Sequence, residues 1–253
     1  MKESTLVAFT LAGQAAAGTY AILAVLQLAI GAATPFDWRT LAVLSLLVLL
    51  GMAASLGHLG VPSQAYRALC GLRTSWLSRE ILAAALFAGS LALQTGVALL
   101  WGAARFPAAL TFVVALLGLS VVYCMARAYM LRTMQAWDTP AVLLSFAATA
   151  LVLGGLLALV LAPGAGSGVV WLVAAAALVD IALGLWRLRP VPSPVYGGLR
   201  APARPSPGLQ AAHVGLLVLA VAWALCAGDR SPLPGLALAV AAEVANRVRF
   251  YRI

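Results

Sequence analysis

AVLLSFAATALVLGGLLALVLA, residues 141–162, carries no charged side chain and nothing more polar than Ser145 and Thr149. At ~1.5 Å per residue a helix of that length rises about 33 Å, enough to cross the ~30 Å hydrocarbon layer of a bilayer. A surface helix of a soluble domain would show a polar stripe, and this stretch has none. Working outward, comparable apolar runs occupy residues 6–30, 41–59, 81–101, 108–129, 169–186 and 211–227. Together these are read as seven membrane spans. The tail from Leu233 is interrupted by Glu243, Asn246 and Arg247, yet Ser231-Pro-Leu-Pro234 is a helix start, and the tail is read as the eighth span. The first run is too long for a cleaved signal peptide and has no basic lead beyond Lys2. The expectation is an all-α polytopic membrane protein: eight transmembrane helices in a bundle, with residues 1–253 forming a single integral membrane domain.

Composition agrees with that reading. The chain is 64% hydrophobic and 9% charged, against ~45–50% apolar and ~25% charged for soluble domains. Sixteen Lys+Arg and seven Asp+Glu cannot solubilise the surface of 253 residues, so the solvent must be lipid. The net charge of +9 does not indicate nucleic-acid binding, because the basic residues fall in the gaps between apolar runs. Cys70, Cys124 and Cys226 form no CxxC pair, which argues against a disulfide framework and a protein-held metal cluster; no metal is expected in this protein.

The gaps are punctuated by Thr34-Pro-Phe-Asp37, Pro107, Thr139-Pro140, Pro163-Gly-Ala-Gly166 and Gly228-Asp-Arg230. Residues 187–210 differ in kind, with six prolines and four arginines. This segment favours extended backbone, and it is read either as a solvated loop or as an arm that docks a partner subunit. With eight spans, the termini and the gaps after spans two, four and six share one side, which carries thirteen of the sixteen Lys and Arg. The other side has Arg39, Arg105 and Arg230. The positive-inside bias puts the crowded side, and both termini, in the cytoplasm, although the same arginines could instead serve docking.

The informative polar sequence lies between spans two and three: Ser55-Leu-Gly-His58-Leu-Gly-Val-Pro62, then Tyr66-Arg67, then Arg73-Thr-Ser-Trp-Leu-Ser-Arg-Glu80. Ser78 is read as the N-cap of the third helix, which puts Arg79 and Glu80 in its first turn with Glu80 facing the interface. A first-turn carboxylate is favoured by the helix dipole for ~0.3–1 kcal/mol with no function implied, and a boundary histidine can simply bond a carbonyl. Together, though, an imidazole and a carboxyl group at one boundary supply what a two-proton, two-electron quinone reaction needs.

The strings His58-Leu-Gly-Val-Pro62 and Thr74-Ser-Trp-Leu-Ser-Arg-Glu80-Ile81, the opening Phe9-Thr10 with Gln14 and Gly18, and Arg127-Ala-Tyr129 followed by Trp137-Asp-Thr-Pro140 resemble the dimethyl sulfoxide reductase membrane-anchor family (DmsC/NrfD-like). Glu243, Arg247 and Phe250-Tyr251 are similar to that family's last helix, so the resemblance runs over essentially the whole sequence. It implies an eight-helix bacterial inner-membrane anchor without haem. Such an anchor holds a four-cluster ferredoxin-like iron-sulfur subunit and a molybdopterin catalytic subunit, and exchanges electrons with menaquinone or ubiquinone. Iron-sulfur clusters and molybdopterin would reside only in those partners, and this protein would be part of an enzyme only as the quinone-binding subunit. The resemblance gives the quinone roles to His58 and Glu80. Gln14, Arg79, Arg127, Tyr129 and Trp137 are lining candidates, and Arg67, Arg73, Arg189, Arg200 and Arg204 are docking candidates.

Counting supports the absence of haem separately: two haems want four axial ligands and the sequence has only His58 and His213, read as lying in different gaps. Asp180 inside the sixth span is expensive in lipid and is expected to find a partner within the bundle. Glu243 and Arg247, at i and i+4, are read as a structural salt bridge. Gln14 and Gln94 could bond across helices or touch a quinone. A cytoplasmic arginine-rich side favours a sulfite:quinone oxidoreductase over a dimethyl sulfoxide or other S-/N-oxide reductase as the parent complex. A secondary transporter, hinted at only by Asp180, and a purely structural anchor are the rival classes.

Overall fold

The computed structural model describes residues 2–30, 36–56, 70–101, 106–130, 138–187, 206–227 and 230–251. They form eight α-helices: α1 (Lys2–Ile30), α2 (Trp38–Leu56), α3 (Trp76–Trp101), α4 (Ala108–Tyr129), α5 (Pro140–Leu161), α6 (Ser167–Trp186), α7 (Pro207–Cys226) and α8 (Leu233–Tyr251). No strand occurs among the described residues. The first seven are long and apolar enough to cross a membrane. The eighth is nineteen residues long and turns Glu243, Asn246, Arg247 and Arg249 into the protein, where all four are buried. The expected eight-helix bundle is what the protein forms.

The bundle is apolar outside and holds many of its polar side chains inside, within a largely apolar core. Leu46, Leu93, Leu100, Trp171 and Leu178 are exposed, whereas Thr10, Gln14, Thr19, Gln94, Thr111, Thr149 and His213 are buried. Water would reverse that arrangement; lipid permits it, because burying a leucine between helices gains nothing over leaving it among acyl chains, while buried hydroxyls and amides can bond one another. The centre is α1 and α5, each buried over 72% of its spanning stretch, whereas α7 is buried over only 22% and sits at the rim. Packed around α1 are α2, α4, α5 and α8, while α6 lies on α5 and α7 on α8.

The central pair meets backbone to backbone. A methyl group added at Gly18 would land on the carbonyl of Ala150, and one at Gly154 would land on the backbone of Gly18 and Thr19. Thr19 Oγ1 uses the close approach to donate to Gly154 O across the interface at 3.1 Å. This is the small-residue packing by which membrane helices gain van der Waals contact. Gly154→Leu is therefore expected to cost at least the ~1–3 kcal/mol of an overpacked core, read as lost thermal stability in detergent; unchanged stability would mean that the helices pack elsewhere.

Helix ends follow local chemistry. Asp37 Oδ1 accepts from the Thr40 amide at 2.8 Å and caps α2. Pro140 and Pro207 sit in the first turns of α5 and α7, where a missing N–H costs nothing. The segment read as 187–210 is thus shorter at its end: Pro207 to Gln210 are already helical, because proline tolerates that first turn. The expected cap of the third helix also moves. It begins at Trp76, not after Ser78, and Ser75 Oγ accepts from the Ser78 amide at 3.3 Å. Ser75 offers the same hydroxyl one turn earlier, and the extra turn lets Trp76 pack. Glu80 consequently lies in the second turn.

Candidate functional site

Two polar regions occupy the end of the bundle formed by the N-terminal ends of α1, α3, α5 and α7 and the C-terminal ends of α4, α6 and α8. The first surrounds Glu80. The added turn carries this residue below the helix start, where it is only 4% exposed and so does not face the interface as expected. Among the described residues no donor bonds its carboxyl group, while Cys124 of α4 lies within electrostatic reach of both Glu80 and Arg79. The Arg79 guanidinium points back out of the bundle, donating to Leu72 O at 2.9 Å and Arg73 O at 2.8 Å.

Trp76 is the organising side chain. The Arg79 guanidinium carbon lies 4.3 Å and that of Arg127 4.8 Å from its ring centroid, and Tyr123 meets it edge-on at 5.7 Å. One aromatic ring thereby attracts two cations that would otherwise repel, and ties α3 to α4 beside Glu80. Three of the expected site residues, Glu80, Arg79 and Arg127, are brought together in this way. Trp76 was not singled out in the sequence; its place three residues before Arg79, one helical turn, was the available signal.

Gln14 and Tyr129 belong to a neighbouring junction of α1, α4, α5 and α8. Tyr129 packs on Phe146 with ring centroids 5.6 Å apart, the Arg247 guanidinium lies 3.8 Å above the same ring, and Arg247 Nη2 donates to Gln14 Oε1 at 2.9 Å. The expected Glu243–Arg247 salt bridge is thus not the one formed. The face they share is wrapped by α1 and α5, so Gln14 takes the guanidinium while Glu243 Oε2 accepts from Thr149 Oγ1 at 3.0 Å. Gln94 is likewise a cross-helix partner, accepting from Tyr20 OH at 3.1 Å. Of the remaining candidates, Arg73 is exposed, whereas His58, Arg67, Trp137, Arg189, Arg200 and Arg204 lie outside the described residues.

The second polar region is one the sequence reading did not assemble. Asp180 of α6 lies 2.9 Å from His213 Nε2 of α7 and accepts from Ser145 Oγ of α5 at 3.0 Å. The Asn246 amide of α8 reaches both Asp180 Oδ2 and Glu243 Oε2 at 3.4 Å. Arg249 donates to Gly184 O at 3.2 Å and to Asn246 Oδ1 at 2.9 Å. Asp180 thus has the partners expected of it. His213, however, is not in a gap: it is fully buried on α7. The signal was the inward stripe Gln210, His213, Leu217, Ala220 at helical spacing, whose first two members are polar.

Chemically, Glu80 offers a proton acceptor that the described residues leave without a hydrogen-bond partner, beside an aromatic face flanked by two guanidiniums. A family model described as DMSO reductase anchor subunit (DmsC) matches residues 1–191. The protein is 35% identical over 114 residues to the C subunit of the sulfite dehydrogenase of Allochromatium vinosum, covering 40% of this sequence and 35% of that one. It is 29% identical over 160 residues to the C chain of the anaerobic dimethyl sulfoxide reductase of Haemophilus influenzae, covering 61% and 56%. The protein therefore spans roughly a third to a half of the length of these relatives. No solved structure matches.

Proposed function

Because the chain belongs to the DMSO reductase anchor subunit family, we propose that it is the quinone-reactive membrane subunit of a molybdopterin oxidoreductase. The observation that carries this reading is Glu80: a carboxyl group 4% exposed, at the end of the bundle, with no hydrogen-bond donor among the described residues. A largely buried carboxyl group to which no described residue donates is open to a ligand hydroxyl. In quinol oxidation two protons and two electrons leave the ring. Glu80 accepts one hydroxyl proton, His58 the other, and the electrons pass to an iron-sulfur cluster of the docked partner. Arg79 and Arg127, held together by Trp76, stabilise negative charge that develops on the ring oxygens. In the reverse direction the same groups return the protons.

The partners in this reading are a four-cluster ferredoxin-like subunit and a molybdopterin subunit, which supply the metal chemistry. They dock on the side bearing Arg73 and the arginines of 187–210. We place that side, with both termini, in the cytoplasm of a bacterial inner membrane. Sulfite is the first substrate choice, supported by the 35% identity to a sulfite dehydrogenase subunit; an S- or N-oxide reductase is the second, supported by the 29% relative.

Two measurements test this. A photoreactive short-chain quinone should label peptides of α3 and α4 around Glu80 and be competed by excess quinone; labelling confined to the outer faces of α6 and α7 would remove the site. A reporter fused to the C-terminus should be active only as a cytoplasmic fusion, and periplasmic activity would overturn the orientation and with it the preference for sulfite.

A further inference from the structure

Asp180, His213 and Glu243 come from three helices, are each at most 1% exposed, and place one ligand-type atom apiece within 4.8 Å of one another. His213 Nε2 lies 2.9 Å from Asp180 Oδ2, within ion-pair distance, and His213 Nδ1 is buried without a hydrogen-bond partner. Glu243 Oε1 is also buried without one. Buried polar atoms left without partners on neighbouring helices are open to a shared ligand.

The surrounding groups fit that view. Ser145 bonds Asp180, Thr149 bonds Glu243, and the Asn246 amide bridges the two carboxylates. These are the outer contacts that orient metal-binding carboxylates. Three guanidiniums lie within electrostatic reach of Asp180: Arg247, which donates to Gln14, Arg249, which donates to Gly184 O and Asn246 Oδ1, and Arg187, which donates to Ala141 O.

We propose that Asp180, His213 and Glu243 bind a divalent transition-metal ion, zinc by the chemistry of its donors, inside the bundle. One imidazole and two carboxylates leave a fourth position open, as in three-ligand zinc sites; magnesium and calcium prefer oxygen ligands and do not recruit imidazole. Ligand atoms on one zinc ion stand roughly 3.3 Å apart, so a small rotation of the Glu243 carboxylate completes the set. The cysteine spacing that argued against a metal does not bear on this site, which uses no cysteine. Its structural consequence is to fasten the rim helix α7 to α6 and α8.

The test is elemental analysis of the complex, purified in detergent without chelators and equilibrated with zinc chloride. Wild type should carry one more zinc ion per copy of this protein than His213→Ala or Asp180→Asn, and His213→Cys, which keeps a ligand, should retain it. Cobalt substitution should give tetrahedral visible bands that vanish in Glu243→Gln while the complex still assembles. Equal zinc in wild type and His213→Ala, or zinc-free wild type after equilibration, would overturn the proposal and leave a cluster compensated by protons. None of these readouts uses quinone turnover, so the result stands apart from the assignment of Glu80.

Discussion

Glu80→Gln is expected to lower quinone-linked turnover of the assembled complex by about 10²–10⁴-fold, the usual contribution of a positioned acid-base group. Glutamine fills the same volume and keeps the polarity of the buried end, so assembly and stability should stay near wild type. What it loses is the ability to hold a proton. The sharp readout is therefore a split: activity with an artificial donor or acceptor that reacts directly with the partner subunits is retained, while activity through a quinone is lost. Such a loss corresponds to about 3–5 kcal/mol on the barrier. If quinone kinetics are unchanged, Glu80 has no part in proton exchange, and its burial in the second turn of α3 is structural. If both activities fall together, the substitution has undone docking.

Gln14→Leu should destabilise the protein by about 2–3 kcal/mol, although leucine is close to glutamine in volume. Arg247 is 3% exposed, donates to Gln14 Oε1 and has a buried Nε without a partner. Removing the acceptor strands a buried cation, and leaving a charged donor unsatisfied costs more than the net worth of the bond. The second half of the expectation follows from the same asymmetry. Replacing both partners, as Gln14→Leu with Arg247→Met, removes the donor together with the acceptor and should recover most of the lost stability. Thermal unfolding in detergent across the four proteins of this cycle measures the coupling. Additive losses would show that Arg247 is held chiefly by Phe146, over whose ring it sits at 3.8 Å.

What the sequence made legible, and what it hid, divide along the same physical line. The helix of residues 141–162 was plain because continuous apolarity needs no knowledge of neighbours; any face of α5 can be buried, and nearly all of it is. Even α8 could be read from its prolines, despite its charges. Caps were harder. Ser75 and Ser78 both offer a hydroxyl at the right spacing, and what decided between them was Trp76, which packs against an arginine of another helix. The Asp180–His213–Glu243 cluster was harder still, since each residue alone is an ordinary polar interruption. Only the convergence of three helices gives them a common interior, and one-dimensional periodicity does not say which faces converge. The false Glu243–Arg247 bridge has the same origin: spacing put the two on one face, but Gln14, far away in sequence, claimed the cation.

The glycine contact between α1 and α5 also bears on how the protein is made. Thr19 donates across the interface to Gly154, so α1 cannot complete its seat until α5 has been synthesised. Through the making of α2, α3 and α4, the Gly18 surface of the nascent protein faces lipid or the insertion machinery, without its native neighbour. Closure of this seam is thereby postponed, and α1 is finally enclosed by a segment that did not exist when it entered the membrane.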